Sequence, residues 1–97
     1  MSLTCRWGSR KAAANATKHR VTFEEAQTAF ADEAALVIAD PDHSDDEDLF
    51  ILLGLRNVAR LLVVVHCVRD GGAILRIISA RKATRGESPL YKRRAEP

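Results

Sequence analysis

The sequence predicts an α+β domain in which two N-terminal helices and one short C-terminal helix pack on one face of a small antiparallel sheet. Two observations support this fold class. Apolar residues recur at helical spacing in the first third of the chain, and the second half contains runs rich in Val, Ile and Leu separated by turn residues. The 97 residues, 46% of them hydrophobic, suffice for a single domain, 1–97, with its own core.

The first third of the chain predicts a strand-like segment and two helices. Cys5–Gly8 is the strand-like segment, and Ser9 is placed to cap a helix that runs to Lys18 through several alanines. Thr22 opens a second helix with a capping box, in which Thr22 accepts from the helix backbone and Glu25 reaches back. The apolar residues that recur on one face of this helix are Phe23, Ala26, Ala29 and Phe30.

Apolar runs in the second half predict a meander of antiparallel strands. The strands are expected at Ala35–Ala39, Asp48–Arg56, Leu61–Arg69 and Ala73–Ala80, with a turn at Arg56–Arg60. The last two are nearly all apolar, which places them in the middle of the sheet. A final helix is predicted over Glu87–Arg94, with Pro89 in its first turn, where no N–H donor is needed.

The segment Asp40–Asp48 has six acidic residues and no Lys or Arg, and it is predicted to be a solvated loop. Its alternating acids superficially suggest a calcium loop. However, the sixth position is Asp45 rather than Gly, and the twelfth is Ile51 rather than Glu. Cys5 and Cys67 lack the spacing of a zinc site and are interpreted as thiols in or near the core. The sequence therefore predicts no metal and no cofactor.

The formal net charge of +2 conceals an uneven distribution of charge. Outside Asp40–Asp48 there are fifteen basic and seven acidic residues, a balance of +8. Such a surface favours polyanions such as nucleic acid, although basic proteins of this kind are common and the charge also serves solubility. No run reaches the ~18 apolar residues of a membrane helix, and the N-terminus lacks the apolar core of a signal peptide, so a cytoplasmic location is expected.

The length of the turn at Asp70–Gly72 decides which polar residues of the two central strands share a face. With three loop residues His66 lies opposite Arg76, whereas with two it faces Leu75 and Arg76 turns to the other face. In a regular strand Arg76 and Arg81 also point to opposite faces. They share one site only if the strand bulges or ends before Arg81.

The chain resembles BrnT-type toxins in two motifs, KHRVTFEEA at 18–26 and RIISARKAT at 76–84, and the match is collinear from Trp7 to Tyr91. This resemblance implies a fold similar to RelE-type toxins. It also implies a metal-independent endoribonuclease that inhibits translation and is neutralised by a BrnA-like antitoxin with a ribbon-helix-helix region. Operator DNA would be contacted only through the antitoxin, and the chain would form a homodimer or a heterotetramer with it.

The resemblance also assigns roles by position. The residues assigned to catalysis are Lys18, His19, Glu47, Arg76 and Arg81, and those assigned to RNA binding are Trp7, His66, Lys82 and Tyr91. The residue types suit these roles. A guanidinium binds two phosphate oxygens and stays protonated, and an imidazole transfers protons near neutral pH. Structural alternatives stay open. The alternatives are an Arg76–Glu47 pair, His66 bonded within the sheet, Lys18 and His19 at a helix end, a solvated Arg81–Glu87 pair, and Trp7 packed under the first helix.

One position departs from the family pattern. Leu49 stands before Phe50, where the family commonly has an arginine. If that arginine contacts phosphate, this chain lacks part of the site. The alternative function is therefore a catalytically impaired toxin-fold binding module that acts mainly as partner and co-repressor of the antitoxin.

Overall fold

The computed structural model describes residues 4–39, 49–56, 60–69 and 73–95. Each predicted helix and strand is present within these ranges. The elements are β1 (Thr4–Arg6), α1 (Ser9–His19), α2 (Phe23–Ala29), β2 (Leu36–Ala39), β3 (Leu49–Arg56), β4 (Arg60–Arg69), β5 (Ile74–Lys82) and α3 (Ser88–Ala95). The acidic segment 40–48 and most of the predicted turn at 56–60 lie outside the described residues. None of the described helices has the length and apolarity to cross a membrane.

The five described strands form one sheet in the order β1-β5-β4-β3-β2. The apolar strand β4 is at its centre and β5 is beside it, so the predicted central position of this pair is confirmed. Strands β2 to β5 pair antiparallel, but β1 pairs parallel with the start of β5. The sheet is therefore mixed, and the prediction of a small antiparallel sheet is wrong. The parallel pair joins segments about seventy residues apart, and no local pattern in the sequence encodes it.

Helices cover both faces of the sheet, so the prediction that all three helices share one face is also wrong. Leu62 and Val64 of β4 pack into a core with α2, whereas Val63 between them packs with Tyr91 of α3. Because successive strand residues point to opposite faces, α3 lies on the face opposite α1 and α2. We call the side covered by α1 and α2 the helix face and the other side the α3 face. The apolar residues at both sets of alternate positions explain why each face needs a cover.

The N-terminal cap of α2 agrees with the sequence prediction, whereas that of α1 differs from it. Thr22 caps α2, since its hydroxyl accepts from the backbone N–H of Glu25 at 3.1 Å. Gly8, rather than Ser9, occupies the N-cap position of α1 and supplies no side-chain cap. Helix α1 ends at Arg20, whose positive φ of 56° places it in the left-handed conformation that terminates many helices.

The buried side chain of Asn15 joins α1 to the sheet. Its Nδ2 donates to the carbonyl oxygens of Val21 and Ala80, both at 2.8 Å, and its Oδ1 accepts from the backbone N–H of Ala80 at 3.0 Å. Strand β1 pairs only with residues 74–76 of β5. Asn15 therefore satisfies the β5 backbone at Ala80, beyond the end of β1.

We predict that Asn15→Ala lowers the free energy of unfolding by about 2–4 kcal/mol, because it leaves buried backbone donors and acceptors without partners. Urea denaturation measures this change. Thr17→Ala, at an exposed position of the same helix, is the matched control and should change stability by less than about 0.5 kcal/mol. Equal stabilities of Asn15→Ala and the control would contradict this account.

Candidate nucleic-acid interface

A β-bulge in β5 determines which polar residues share a face. His66 pairs with Ile77 and Val65 pairs with Ser79, so Ile78 is the extra residue. Among the described residues, the pairing nearest the turn is Arg69 with Ile74. This register differs from both predicted ones, and Arg76 lies opposite Cys67 rather than opposite His66.

The bulge brings Arg76 and Arg81 to one face. Arg76 pairs with Cys67 and Arg81 with Val63, and these two partners are four residues apart on regular β4, so they point the same way. Val63 packs on α3, which identifies the shared side as the α3 face. The sequence analysis allowed Arg76 and Arg81 to share a face only if the strand bulges or ends before Arg81. The structure contains such a bulge. The two arginines lie about 13 Å apart along the strands.

Three side chains line up with Arg76 across the sheet. The backbone register aligns Arg6 of β1, Arg76 of β5, Cys67 of β4 and Leu49 of β3. Arg6 and Arg76 are exposed, Cys67 is buried and Leu49 is half-buried. Neighbouring strands are about 4.8 Å apart, so Leu49 lies about 10 Å from Arg76 on the same face. An arginine at position 49 would therefore belong to the same row.

Lys18 and His19 lie in a groove between α1 and the bulge of β5. The groove has a volume of about 250 Å³, and its lining residues are Lys11, Ala14, Asn15, Lys18, His19, Ile78 and Ser79. Ser79 is three residues from Arg76, about 10 Å along the strand. The structure thus places Lys18 and His19 beside the bulge, on the side of α1, whereas the nearby Arg76 projects from the opposite α3 face of β5. Lys11 adds a positive charge to this groove that the sequence analysis did not assign to the site.

Arg81 is already bound by a carboxylate. Its two terminal nitrogens donate to the two carboxylate oxygens of Glu87, each at 2.8 Å, and Glu87 also accepts from the backbone N–H of Thr84 at 2.8 Å. These hydrogen bonds, above all the pair from Arg81, lower the pKa of Glu87 to about 2 and raise the pKa of Arg81. The geometry favours the structural alternative for Arg81, since its fork of donors holds the start of α3 against β5.

His66 is buried on the helix face and is only 3% exposed. Its ring lies edge-on to Phe30 with centroids 4.8 Å apart, and Phe50 is 6.1 Å away. Nδ1 lies 3.2 Å from the carbonyl oxygen of Val64, which accepts only if Nδ1 carries the proton. Burial lowers the pKa of His66, although the backbone hydrogen bond opposes this effect. The ring is therefore a bonded core residue, which favours the structural alternative for His66.

The remaining predicted residues are scattered. Trp7 is half-buried and packs edge-on to Phe23 with centroids 6.0 Å apart, and Lys82 is exposed on the helix face. Tyr91 is buried, and its hydroxyl donates to Asp32 Oδ2 at 2.7 Å. Glu47 lies outside the described residues. The Tyr91 side chain belongs to the core beneath α3, where burial and the Asp32 contact raise its pKa to about 12.

A family model described as "Ribonuclease toxin, BrnT, of type II toxin-antitoxin system" matches residues 7–87 of the chain. The chain is also similar to the crystal structure of the Brucella abortus ribonuclease toxin BrnT. The TM-score is 0.65, and the alignment covers 87% of this chain and 100% of that chain at 22% identity. Identity at this level shows a shared fold alone. No curated protein matches the chain. The likeness to RelE-type toxins stays a prediction.

We predict that the Arg81–Glu87 pair makes stability depend on pH in acid. The pKa of Glu87 is lowered to about 2 from a value of 4.5, so its stabilising contribution is complete above about pH 4.5. It is lost as the pH falls toward 2. Glu87→Gln should therefore be less stable than the parent chain at pH 7, with a difference that shrinks between pH 5 and pH 3.

Urea denaturation at pH 7, 5, 4 and 3 measures this difference. Glu33→Gln, which removes an exposed carboxylate, is the matched control. A stability difference between the parent chain and Glu87→Gln that stays constant from pH 7 to pH 3 would show that this pair does not titrate as described.

Proposed function

We propose that this chain, which belongs to the BrnT family of ribonuclease toxins of type II toxin–antitoxin systems, cleaves RNA internally without a metal ion and so inhibits translation. The observation that best supports this proposal is the position of Arg76. Its side chain is exposed on the α3 face of β5, and its backbone lies about 10 Å along the strand from Ser79, which lines the groove that contains Lys18 and His19. Cationic groups therefore border the same stretch of β5 from its two opposite faces.

The chemistry of RNA cleavage requires three tasks of the protein. The attacking 2′-hydroxyl must lose its proton, the leaving 5′-oxygen must gain one, and the extra negative charge on the phosphorane must be stabilised. In our proposal Arg76 donates to the phosphate oxygens and His19 transfers a proton. Lys18 supplies positive charge beside it, and Glu47 is a second candidate for proton transfer. His66 is excluded from proton transfer because its ring is buried.

The proposed partner is an antitoxin, as expected for a type II toxin–antitoxin system. We assign it a BrnA-like ribbon-helix-helix region, through which the complex would bind operator DNA. The chain would act in the cytoplasm as one domain, with the toxin either in a homodimer or in a heterotetramer with the antitoxin. Coexpression with the adjacent reading frame, followed by purification of the complex, tests this part of the proposal.

We predict that Arg76→Gln lowers the rate of RNA cleavage by at least about 100-fold, because it removes the charge that stabilises the phosphorane. The measurement uses purified protein, labelled single-stranded RNA and EDTA. The parent chain should cleave with EDTA present. Growth of cells that express the toxin alone provides a second readout, which Arg76→Gln should restore.

Arg85→Gln removes the same charge from the exposed turn beyond β5 and should leave cleavage within twofold of the parent chain. A folded Arg76→Gln protein with full activity would contradict the proposal. A parent chain that leaves RNA intact and does not slow growth would contradict the enzymatic function itself.

The second candidate function is a binding module with impaired catalysis. Two observations favour it. Leu49 occupies the row of Arg76 without a charge, and Arg81 is bound to Glu87 rather than available to phosphate. Such a chain would still bind its antitoxin and assist repression of the operon.

Leu49→Arg separates the two functions. A new guanidinium about 10 Å from Arg76 should raise the cleavage rate by roughly tenfold if the chain is a weakened enzyme. Leu49→Gln, which adds polarity without charge, is the control and should not increase activity. If Leu49→Arg and Leu49→Gln behave alike and neither cleaves RNA, the binding module is the correct function.

A further inference from the structure

Arg6 and Arg76 are directly adjacent on the sheet. They are paired positions of the parallel strands β1 and β5, so their side chains leave the same face from backbones about 4.8 Å apart. Both side chains are exposed. The row lies on the α3 face, about 13 Å from Val63, where α3 packs. The two guanidinium groups therefore project together from an accessible part of the sheet.

This arrangement is unfavourable by itself, since like charges at paired strand positions repel. Two other arginines of the sheet are compensated by carboxylates: Arg60 binds Glu25 at 3.0 Å and Arg81 binds Glu87 at 2.8 Å. Within the described parts of the chain, neither Arg6 nor Arg76 has a hydrogen bond or ion pair through its guanidinium. An anion bound between them would supply the missing negative charge.

We infer that Arg6 and Arg76 together bind one phosphodiester group of the RNA substrate. A phosphodiester has two non-bridging oxygens, and each guanidinium presents a planar fork of donors, so both arginines can donate to one phosphate. Arg6 lies directly before the segment 7–87 that the family model matches. It places a second charge beside Arg76, on the side opposite the uncharged Leu49. The inference rests on the proposed function and adds a substrate-binding residue to it.

Binding to RNA that cannot be cleaved tests the inference without requiring catalysis. The probe is a mixed-sequence pool of labelled 2′-O-methyl RNA twelve-mers, which lack the attacking 2′-hydroxyl. Fluorescence anisotropy at several salt concentrations gives the affinity and its salt dependence. The variants are Arg6→Gln, Arg76→Gln, the double variant and Arg6→Lys, with Arg85→Gln as the matched charge control. Thermal unfolding of each variant verifies that it is folded.

We expect Arg6→Gln to weaken binding about tenfold and to reduce the slope of log K against log salt by about 0.7, the value for one phosphate contact on a single strand. Arg6→Lys should keep the slope but bind more weakly than the parent chain, because an ammonium group lacks the planar fork. The double variant should lose less than the product of the two single losses, since both residues bind the same phosphate. Arg85→Gln should stay within twofold of the parent chain.

Three results would overturn the inference. If Arg6→Gln matches Arg85→Gln while Arg76→Gln weakens binding, Arg6 has no specific role, although the proposed function stands. If the double variant loses the full product of the single losses, the two arginines contact different phosphates. If the parent chain does not bind the pool at all, both the inference and the proposed RNA substrate are wrong.

Discussion

The bonds from Asn15 to the backbone of Ala80 determine how the rest of the candidate site is arranged. Strand β1 ends at the level of Arg76, and β5 bulges directly afterward, so Asn15 provides the hydrogen-bonding partner there. The same side chain binds Val21 after α1, which fixes the end of that helix against the sheet. Lys18 is one turn beyond Asn15, and Ser79 precedes Ala80. Their groove therefore exists because one buried amide joins α1 to β5.

A second set of contacts holds α3 and engages two residues that the resemblance assigns to RNA, Tyr91 and Arg81. Asp32 accepts from the Tyr91 hydroxyl and from the backbone N–H groups of Leu55 and Ala34. Burial alone would raise the pKa of Asp32, but these three bonds outweigh it and the pKa is lowered. The Arg81–Glu87 pair holds the residue directly before the same helix. Motif position alone therefore does not distinguish residues that act on RNA from residues that hold α3.

Local patterns predicted the elements well, because capping, apolar periodicity and turn residues act over a few positions. Thr22 caps α2 as the sequence indicates, and β4 is central as its unbroken apolar run indicates. The pairing of β1 with β5 and the bulge at Ile78 depend on contacts between residues distant in sequence. The sequence analysis therefore missed the pairing and left the bulge as an open alternative. The candidate site shows the same difference between local patterns and distant contacts. The motif made Arg76 a candidate, whereas Arg6 became a candidate only through a pairing across seventy residues.

Side-chain NMR of the arginines during titration with non-cleavable RNA tests the central claim most directly. The claim is that Arg76 faces the substrate whereas Arg81 serves the fold, although both lie on one face of β5. We predict that the Nε–H signal of Arg76 shifts on RNA binding and that the signal of Arg81, bound to Glu87, stays in place. A shift of the Arg81 signal with an unchanged Arg76 signal would contradict the account.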